Sequence, residues 1–430
     1  MNPYDFTAPS VIRFGDGRAS ETGMAVRAIG RHAWLLTGGG SFDAPGGPAE
    51  TIMSSLEQAA VHWQWIGRVH GEPTVPVVAD IVRGTRRLDA EDVVIVAVGG
   101  GAVIDTAKAV AAVTLVPESD DVESSLRERL EGIGRGMPTN PRAIRSRRPD
   151  QAGPRAVTDG PAADAAPEDG PVLPIVAVPT TAGTGAEATR NAVIGCPENR
   201  LKRSIRSPLL VPRAAIVDPS LTATCGRDVA TWCGMDCLTQ LIEVFITRFR
   251  RPIPRALVAQ AFPDAMRGLQ TVVAHAGQRE VDETVRSARG ALSHAALLSG
   301  LALANAGLGL AHGVAAALGG AFDVPHGLAC AVMLPIAVQI NRSACETDFA
   351  ELERLMDPSS PGNDARAADQ FVDRIEGLCD QLAIPRRLSQ LGIESSAIEW
   401  LARNSGGSSM RGNPVELTTE ELADLLARVL

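Results

Sequence analysis

The chain has 430 residues, 45% of them hydrophobic and 21% charged, with a formal net charge of −9. That length exceeds what one core usually holds and points to two domains. The acidic balance, with no basic stripe, excludes nucleic acid as the main partner. The longest apolar stretch, Ala295 to Ala311, is broken by Ser299, Asn305 and several glycines. It reads as a buried helix, so no membrane partner is expected. Seven cysteines (196, 225, 233, 237, 330, 345 and 379) form no CxxC pair and fit reduced thiols. The opening MNPYDFTAPSVIRFGDG lacks the pattern of a secretory leader, and a cytoplasmic protein is expected.

In chain order, Ala33–Thr37 predicts a short strand closed by Gly38, Gly39, Gly40 and Ser41. Helical patterning then leads to a proline-bounded segment near Val69–Val78. Val93–Val98 is a β-branched apolar run, which reads as a buried parallel strand. Gly99, Gly100 and Gly101 turn the chain into an Ala-rich helix whose first amides face the turn. Pro117 to Pro171 holds eight prolines and no aromatic residue. Such a segment buries too little to offset its ordering entropy, so a largely disordered surface insertion is expected, with a short helix at Val122–Glu131. Val172–Val178 predicts a further strand. Alternating strands and helices imply a parallel sheet with helices on both faces. From about Ser220 the pattern becomes helical throughout, so a nucleotide-binding α/β unit over 1–218 and a helical unit over 219–430 are expected.

Two motifs follow predicted strands. The first is the Gly99–Gly101 turn with Asp105 behind it. The second is Pro179-Thr180-Thr181-Ala182-Gly183-Thr184-Gly185-Ala186-Glu187. Hydroxyls and flexible backbone at the carboxyl edge of a sheet suit phosphate or ribose contacts, and two such loops at one edge favour nucleotide binding. In the helical half, Asp236 and Gln240 lie one turn apart on one helix face. His312 and His326 each sit among glycines and apolar residues. One carboxylate and two imidazoles suit a transition metal, with Gln240 as an oxygen donor.

Taken together, these motifs resemble the iron-containing (group III) alcohol dehydrogenase family. VGGGAVIDTAK is similar to the family's GGGSxxDxxK, and PTTAGTGAE to its PTTAGTGSE. Ala215–Pro219 resembles the family's AIVDP, GMDCLTQLIE its GxDALTHAIE, and HGVAAALGGAFDVPHG its HGMAHPLGAxxxxPHG. Asn413-Pro414 resembles its closing NPR, with Val415 in place of the Arg. The resemblance implies an N-terminal α/β domain with a parallel sheet and an all-α C-terminal domain, an architecture similar to dehydroquinate synthase. It implies reversible, metal-assisted hydride transfer between a small alcohol or aldehyde and NAD(P), with Fe²⁺ or Zn²⁺ as the metal. By position it assigns Gly99, Gly100, Gly101, Asp105, Thr180, Thr181, Thr184 and Lys202 to the cofactor. It assigns Asp236, His312 and His326 to catalysis and to the metal, with Gln240 at the fourth ligand position. A homodimer or higher homo-oligomer is also implied.

Three positions depart from the family pattern. Gln240 stands where a His is usual, exchanging an imidazole for a weaker amide oxygen. Ala316 replaces the second His of an HxxxH pair associated with proton relay. At the end of the second strand, Gly38, Gly39, Gly40 and Ser41 replace the Asp that accepts adenosine ribose hydroxyls, which favours NADP(H) over NAD. Two further readings stay open at this point: a non-redox lyase on the same architecture, and a metal-free protein that only binds nucleotide.

Overall fold

The computed structural model describes residues 4–40, 42–44, 47–88, 91–115, 121–134, 136–137, 172–279, 281–407 and 409–430. The first half runs β1 (Val11–Phe14), α1 (Thr22–Arg27), β2 (His32–Gly38), α2 (Ala49–Gln58), β3 (His62–Val69), α3 (Val75–Thr85), β4 (Val93–Gly99), α4 (Gly101–Val113) and α5 (Val122–Arg129). It closes with β5 (Ile175–Pro179), β6 (Asn191–Cys196), β7 (Leu201–Arg206) and β8 (Ala214–Val217). After that the described elements are helical. They are α6 (Arg227–Ile246), α7 (Pro252–Ala274), α8 (Glu283–Ala304), α9 (Leu310–Phe322), α10 (His326–Asn341), α11 (Glu346–Met356), α12 (Asp364–Gln381), α13 (Ile398–Asn404) and α14 (Thr419–Arg428), with short 3-10 turns between them.

Six strands form a parallel sheet in the order β1-β8-β5-β4-β2-β3. Side chains alternate across it as the pleat requires. Val93, Ile95 and Ala97 join one apolar cluster with α3 and α4, whereas Val94, Val96 and Val98 join another with α1 and α2. A strand buried on both faces has no polar side, which is why β4 reads as an unbroken apolar run. The chain leaves β2 toward the β3 edge but leaves β4 toward β5. The strand order therefore reverses between β2 and β4, and the crevice beyond the carboxyl ends of such strands is where doubly wound sheets take their ligands. Gly38–Gly40 and Gly99–Gly101 stand at that point. Strands β6 and β7 form a separate antiparallel hairpin.

The expected strands at Ala33–Thr37 and Val93–Val98 are present as β2 and β4. Val172–Pro174 precede the third, which begins at Ile175. Part of the predicted insertion is ordered: α5 covers Val122–Arg129, and Val122, Leu126, Leu130 and Met137 are buried in the α3–α4 cluster. Apolar residues four apart on an otherwise charged helix supply that burial. The remainder of the insertion, and Ser41, lie outside the described residues. The Ala295–Ala311 run is the end of α8, a loop and the start of α9. Helix α6 is long and apolar enough to cross a membrane, but 83% of its apolar window is buried and it carries Asp236, Gln240 and Glu243, so it is a core helix.

The helical half meets the β5 loop at van der Waals closeness. Gly185 (φ 60°) and Gly300 of α8 touch backbone to backbone, and a Cβ on Gly300 would lie 2.2 Å from the Gly185 carbonyl oxygen. Gly300→Ala is expected to cost about 2–3 kcal/mol in urea unfolding. Gly290→Ala on the same helix faces open space and is expected to be neutral or mildly stabilising.

Candidate metal and nucleotide site

The two glycine–threonine loops are built as one unit. Thr180 donates its amide to the Gly99 carbonyl at 3.1 Å. A Cβ on Gly101 would lie 2.6 Å from Thr184 Oγ1, and one on Gly100 would press on Thr181. The first amides of α4 therefore open beside threonine hydroxyls at the reversal point, an arrangement suited to a phosphate group. Asp105 follows on α4, with its side chain 15% exposed. It accepts the Val193 amide at 2.9 Å and lies 3.8 Å from Lys108. Lys202, on β7, is buried against Gly319 of α9 and lies 3.5 Å from Glu72. At the end of β2, Gly39 packs against the His70 ring while Gly40 faces open space.

The second centre lies where α6, α9 and α10 meet. Among the described residues, Asp236, His312, His326 and Cys330 have ligand atoms all within 4.8 Å of one another. Asp236 Oδ1 is 3.1 Å from His312 Nε2 and 3.8 Å from His326 Nε2. Donors bound to one tetrahedral metal at about 2.0–2.3 Å stand roughly 3.3–3.8 Å apart, so these spacings suit a shared cation. Glu243, two turns along α6 from Asp236, accepts His312 Nδ1–H at 2.7 Å, which leaves Nε2 facing Asp236. Asp236 and His312 are buried, whereas the His326 side chain is 32% exposed and forms the open wall of the site.

The electrostatics match. Burial would lower both imidazole pKa values, but their contacts with Cys330 and with the Glu243 and Asp236 carboxylates outweigh it. They hold His326 at about 9 and His312 well above its ordinary value. Burial would raise the Asp236 carboxyl, yet the facing imidazoles and the Gln240 amide hold it below the usual range. The pocket therefore calls for positive charge, supplied by imidazole protons or by a divalent cation in their place.

Gln240 is placed differently from its expected role as an oxygen donor. Its Oε1 accepts Ser299 Oγ–H at 2.8 Å, and its Nε2 donates toward the Thr184 carbonyl at 3.4 Å. Cys330 joins the cluster in a position that sequence reading passed over. Its signal was the four-residue spacing from His326, one helical turn. Glu243 was also passed over, although it stands in the quoted GMDCLTQLIE motif. Ala316 is part-buried on α9 one turn beyond His312. Asn413, near the closing motif, accepts the Leu310 amide at 3.1 Å and so sits at the start of α9.

A parallel sheet with a ligand crevice at its reversal point, facing a carboxylate–imidazole cluster in a helical half, is the layout of a metal-assisted, nucleotide-dependent oxidoreductase. Residues 9–141 and 150–219 match the family described as iron-containing alcohol dehydrogenase, and residues 230–430 match the C-terminal part of the Fe-containing alcohol dehydrogenase family. The 1,3-propanediol dehydrogenase of Klebsiella pneumoniae is 28% identical over 96% of this chain and 97% of its own. The lactaldehyde reductase of Escherichia coli is 28% identical over 88% and 87%. A crystal structure of 1,3-propanediol oxidoreductase superposes over the full length of both chains, with TM-score 0.82 and 28% identity. The chain belongs to the iron-containing alcohol dehydrogenase family. It is an oxidoreductase acting on CH–OH groups, interconverting alcohols and carbonyl compounds with a nicotinamide cofactor.

Because Glu243 fixes the ring through which His312 faces the cluster, Glu243→Gln is expected to weaken divalent-metal binding by about 10–100-fold. Chelator competition monitored with the full-length protein measures this.

Proposed function

We propose that Asp236, His312 and His326 hold the catalytic divalent metal, and that the Gly38–Ser41, Gly99–Gly101 and Thr180–Thr184 loops hold NADP(H). The enzyme then reduces small aldehydes, or oxidises the corresponding alcohols, in the cleft between its two halves. One observation carries this reading. Gln240, a turn from Asp236, reaches the Thr184 carbonyl, so the metal donors and the nucleotide loop are one side chain apart. When bound, the metal supplies Lewis-acid polarisation of the substrate oxygen and the nicotinamide supplies hydride chemistry. The protein's own contribution is positional. Glu243 orients His312, the glycine loops bring backbone amides to the phosphates, and the exposed edge of His326 leaves an approach for substrate. Ala316 has no titratable proton and cannot serve in a relay from its place one turn beyond His312.

The NADP(H) preference is supported at the end of β2. The residues there are glycines, the His70 ring packs on Gly39, and Arg68, paired with Asp43, is in register with Thr37. Glycines in place of the family's Asp leave amide donors and the Asp43-paired Arg68 at this strand end, which suits a 2′-phosphate. All seven cysteines are free, which suits a reducing cytoplasm. Edge strand β1 exposes Val11 and Ile12, which supports self-association into a homodimer or larger homo-oligomer.

His326→Ala is expected to abolish turnover of small aldehydes while sparing NADPH binding, measured by quenching of protein fluorescence. Retained turnover would overturn the metal assignment. Gly40→Asp places a carboxylate in open space at the end of β2. It is expected to lower kcat/KM with NADPH by about tenfold or more, a change of about 1.4 kcal/mol, with little loss for NADH. Unchanged NADPH kinetics would overturn the NADP(H) reading.

A further inference from the structure

We propose that the Cys330 thiolate is the fourth protein ligand of the metal, in place of Gln240. The inference rests on the reading that Asp236, His312 and His326 hold a metal, and adds the donor that completes their set. Cys330 stands four residues after His326 on α10, so both side chains project from one face of that helix. Its sulfur lies 3.7 Å from His326 Nε2 and within 4.8 Å of the Asp236 and His312 donor atoms. A thiolate at about 2.3 Å and an imidazole at about 2.0–2.1 Å from one tetrahedral metal stand roughly 3.6 Å apart. The thiol is buried, free of disulfide, and turned inward to this cluster.

Gln240 is committed elsewhere. Its amide nitrogen faces two acceptors, the Thr184 carbonyl and the Asp236 carboxylate, and its oxygen faces the Ser299 hydroxyl. Turning the amide over would set its oxygen against both acceptors, so the glutamine is a donor that steadies Asp236. The resulting donor set is one carboxylate, two imidazoles and one thiolate. It carries one more negative charge than a set completed by a neutral imidazole or amide. Soft thiolate in a tetrahedral arrangement shifts preference toward Zn²⁺.

The test uses the full-length protein, stripped with chelator and reloaded anaerobically with Co²⁺ alone. Bound Co²⁺ gives visible d–d bands, and a thiolate ligand adds a near-ultraviolet sulfur-to-cobalt charge-transfer band. The expected result is about one Co²⁺ per chain with both features. Cys330→Ser should lose the near-ultraviolet band, keep visible bands, and bind Zn²⁺ at least about tenfold more weakly. Cys233→Ser and Cys237→Ser, which alter the thiols on α6 beside Asp236, should keep the band. If Cys330→Ser does not fold, Cys330→Ala is read instead, and loss of the near-ultraviolet band with visible bands kept assigns the band to Cys330. Bound Co²⁺ without the band, or a band surviving in Cys330→Ser, overturns the Cys330 ligand and leaves the three-residue metal site standing. Failure of the wild-type protein to bind Co²⁺ or Zn²⁺ overturns both.

Discussion

The carboxylate of Glu243 holds the metal-binding half in register. The start of any α-helix leaves its first amides without helical partners. At the start of α9, Glu243 accepts the Gly309 and Ala311 amides at 2.9 and 2.7 Å. The same carboxylate accepts His312 Nδ1–H. One buried anion therefore satisfies a helix terminus, complements its dipole and sets an imidazole tautomer. Because Asp236 stands on the same helix as Glu243, the bond that anchors α9 to α6 also fixes His312 relative to Asp236. Asn413 strengthens the arrangement from the end of the chain. Its oxygen takes the Leu310 amide and the Asn341 amide group, and its own nitrogen reaches Asn341 and the Val415 carbonyl. Replacing the family's Arg with Val415 leaves this clamp intact, because the clamp is made by the Asn413 and Asn341 side chains and by backbone, the Val415 amide included.

A second buried polar group does comparable work beneath the nucleotide loops. Lys108 of α4 donates to the Ala186 carbonyl, the Thr189 hydroxyl and the Asn191 carbonyl at 2.7–2.9 Å. It thereby ties the first glycine loop's helix to the strand that follows the second loop. Burial lowers Lys108 to about 8 and raises Glu187 to about 7 and Asp105 to about 6. Such groups are tolerated inside because their hydrogen bonds are satisfied; the gain is rigidity in the two loops. Asp105, expected at the cofactor from its place in the motif, acts within this group by holding the β6–β7 hairpin through Val193.

What could be read from the chain follows from which residues have only one way to be buried. Val93–Val98 is apolar on both faces and had to be a central strand. Ala33–Thr37, closed by Gly38–Gly40, reads as a second strand running into a turn, and its place beside Val93–Val98 comes from the fold. Edge strands gave no such pattern. In β3, His62-Trp63-Gln64-Trp65 alternates, but Ile66 is the extra residue opposite Leu35/Leu36 and breaks the period there. β1 is four residues long with none buried. Asp236, His312 and His326 could be brought together on paper through the resemblance, because GMDCLTQLIE carries the first and HGVAAALGGAFDVPHG the other two. Cys330 could not. A lone cysteine in an apolar helix looks like packing until the fold shows which way that helix turns. Gln240 shows the converse: its type and spacing suggested a ligand, but only the positions of Ser299 and Thr184 reveal where each end of its amide points.

On the ligand set proposed above, Cys330 supplies from α10 the fourth donor that an imidazole at position 240 would supply from α6. Both residues sit four positions beyond a ligand, Gln240 after Asp236 on α6 and Cys330 after His326 on α10. Helical spacing makes the two positions equivalent in reach, so a fourth donor can be supplied from either helix without moving the other three. Retaining Gln240 on α6 then serves a different need. A carboxylate buried beside a thiolate is repelled by it, and an amide N–H directed at Asp236 offsets part of that repulsion. The same amide keeps contact with Thr184, so the link between the metal donors and the nucleotide loop survives the change of ligand. A histidine restored at position 240 would compete with Cys330 for the same metal and, with one imidazole in place of the amide, could not keep both the Thr184 and Ser299 bonds. In the proposed set the fourth donor comes from α10, while Gln240 on α6 holds the nucleotide loop through Thr184.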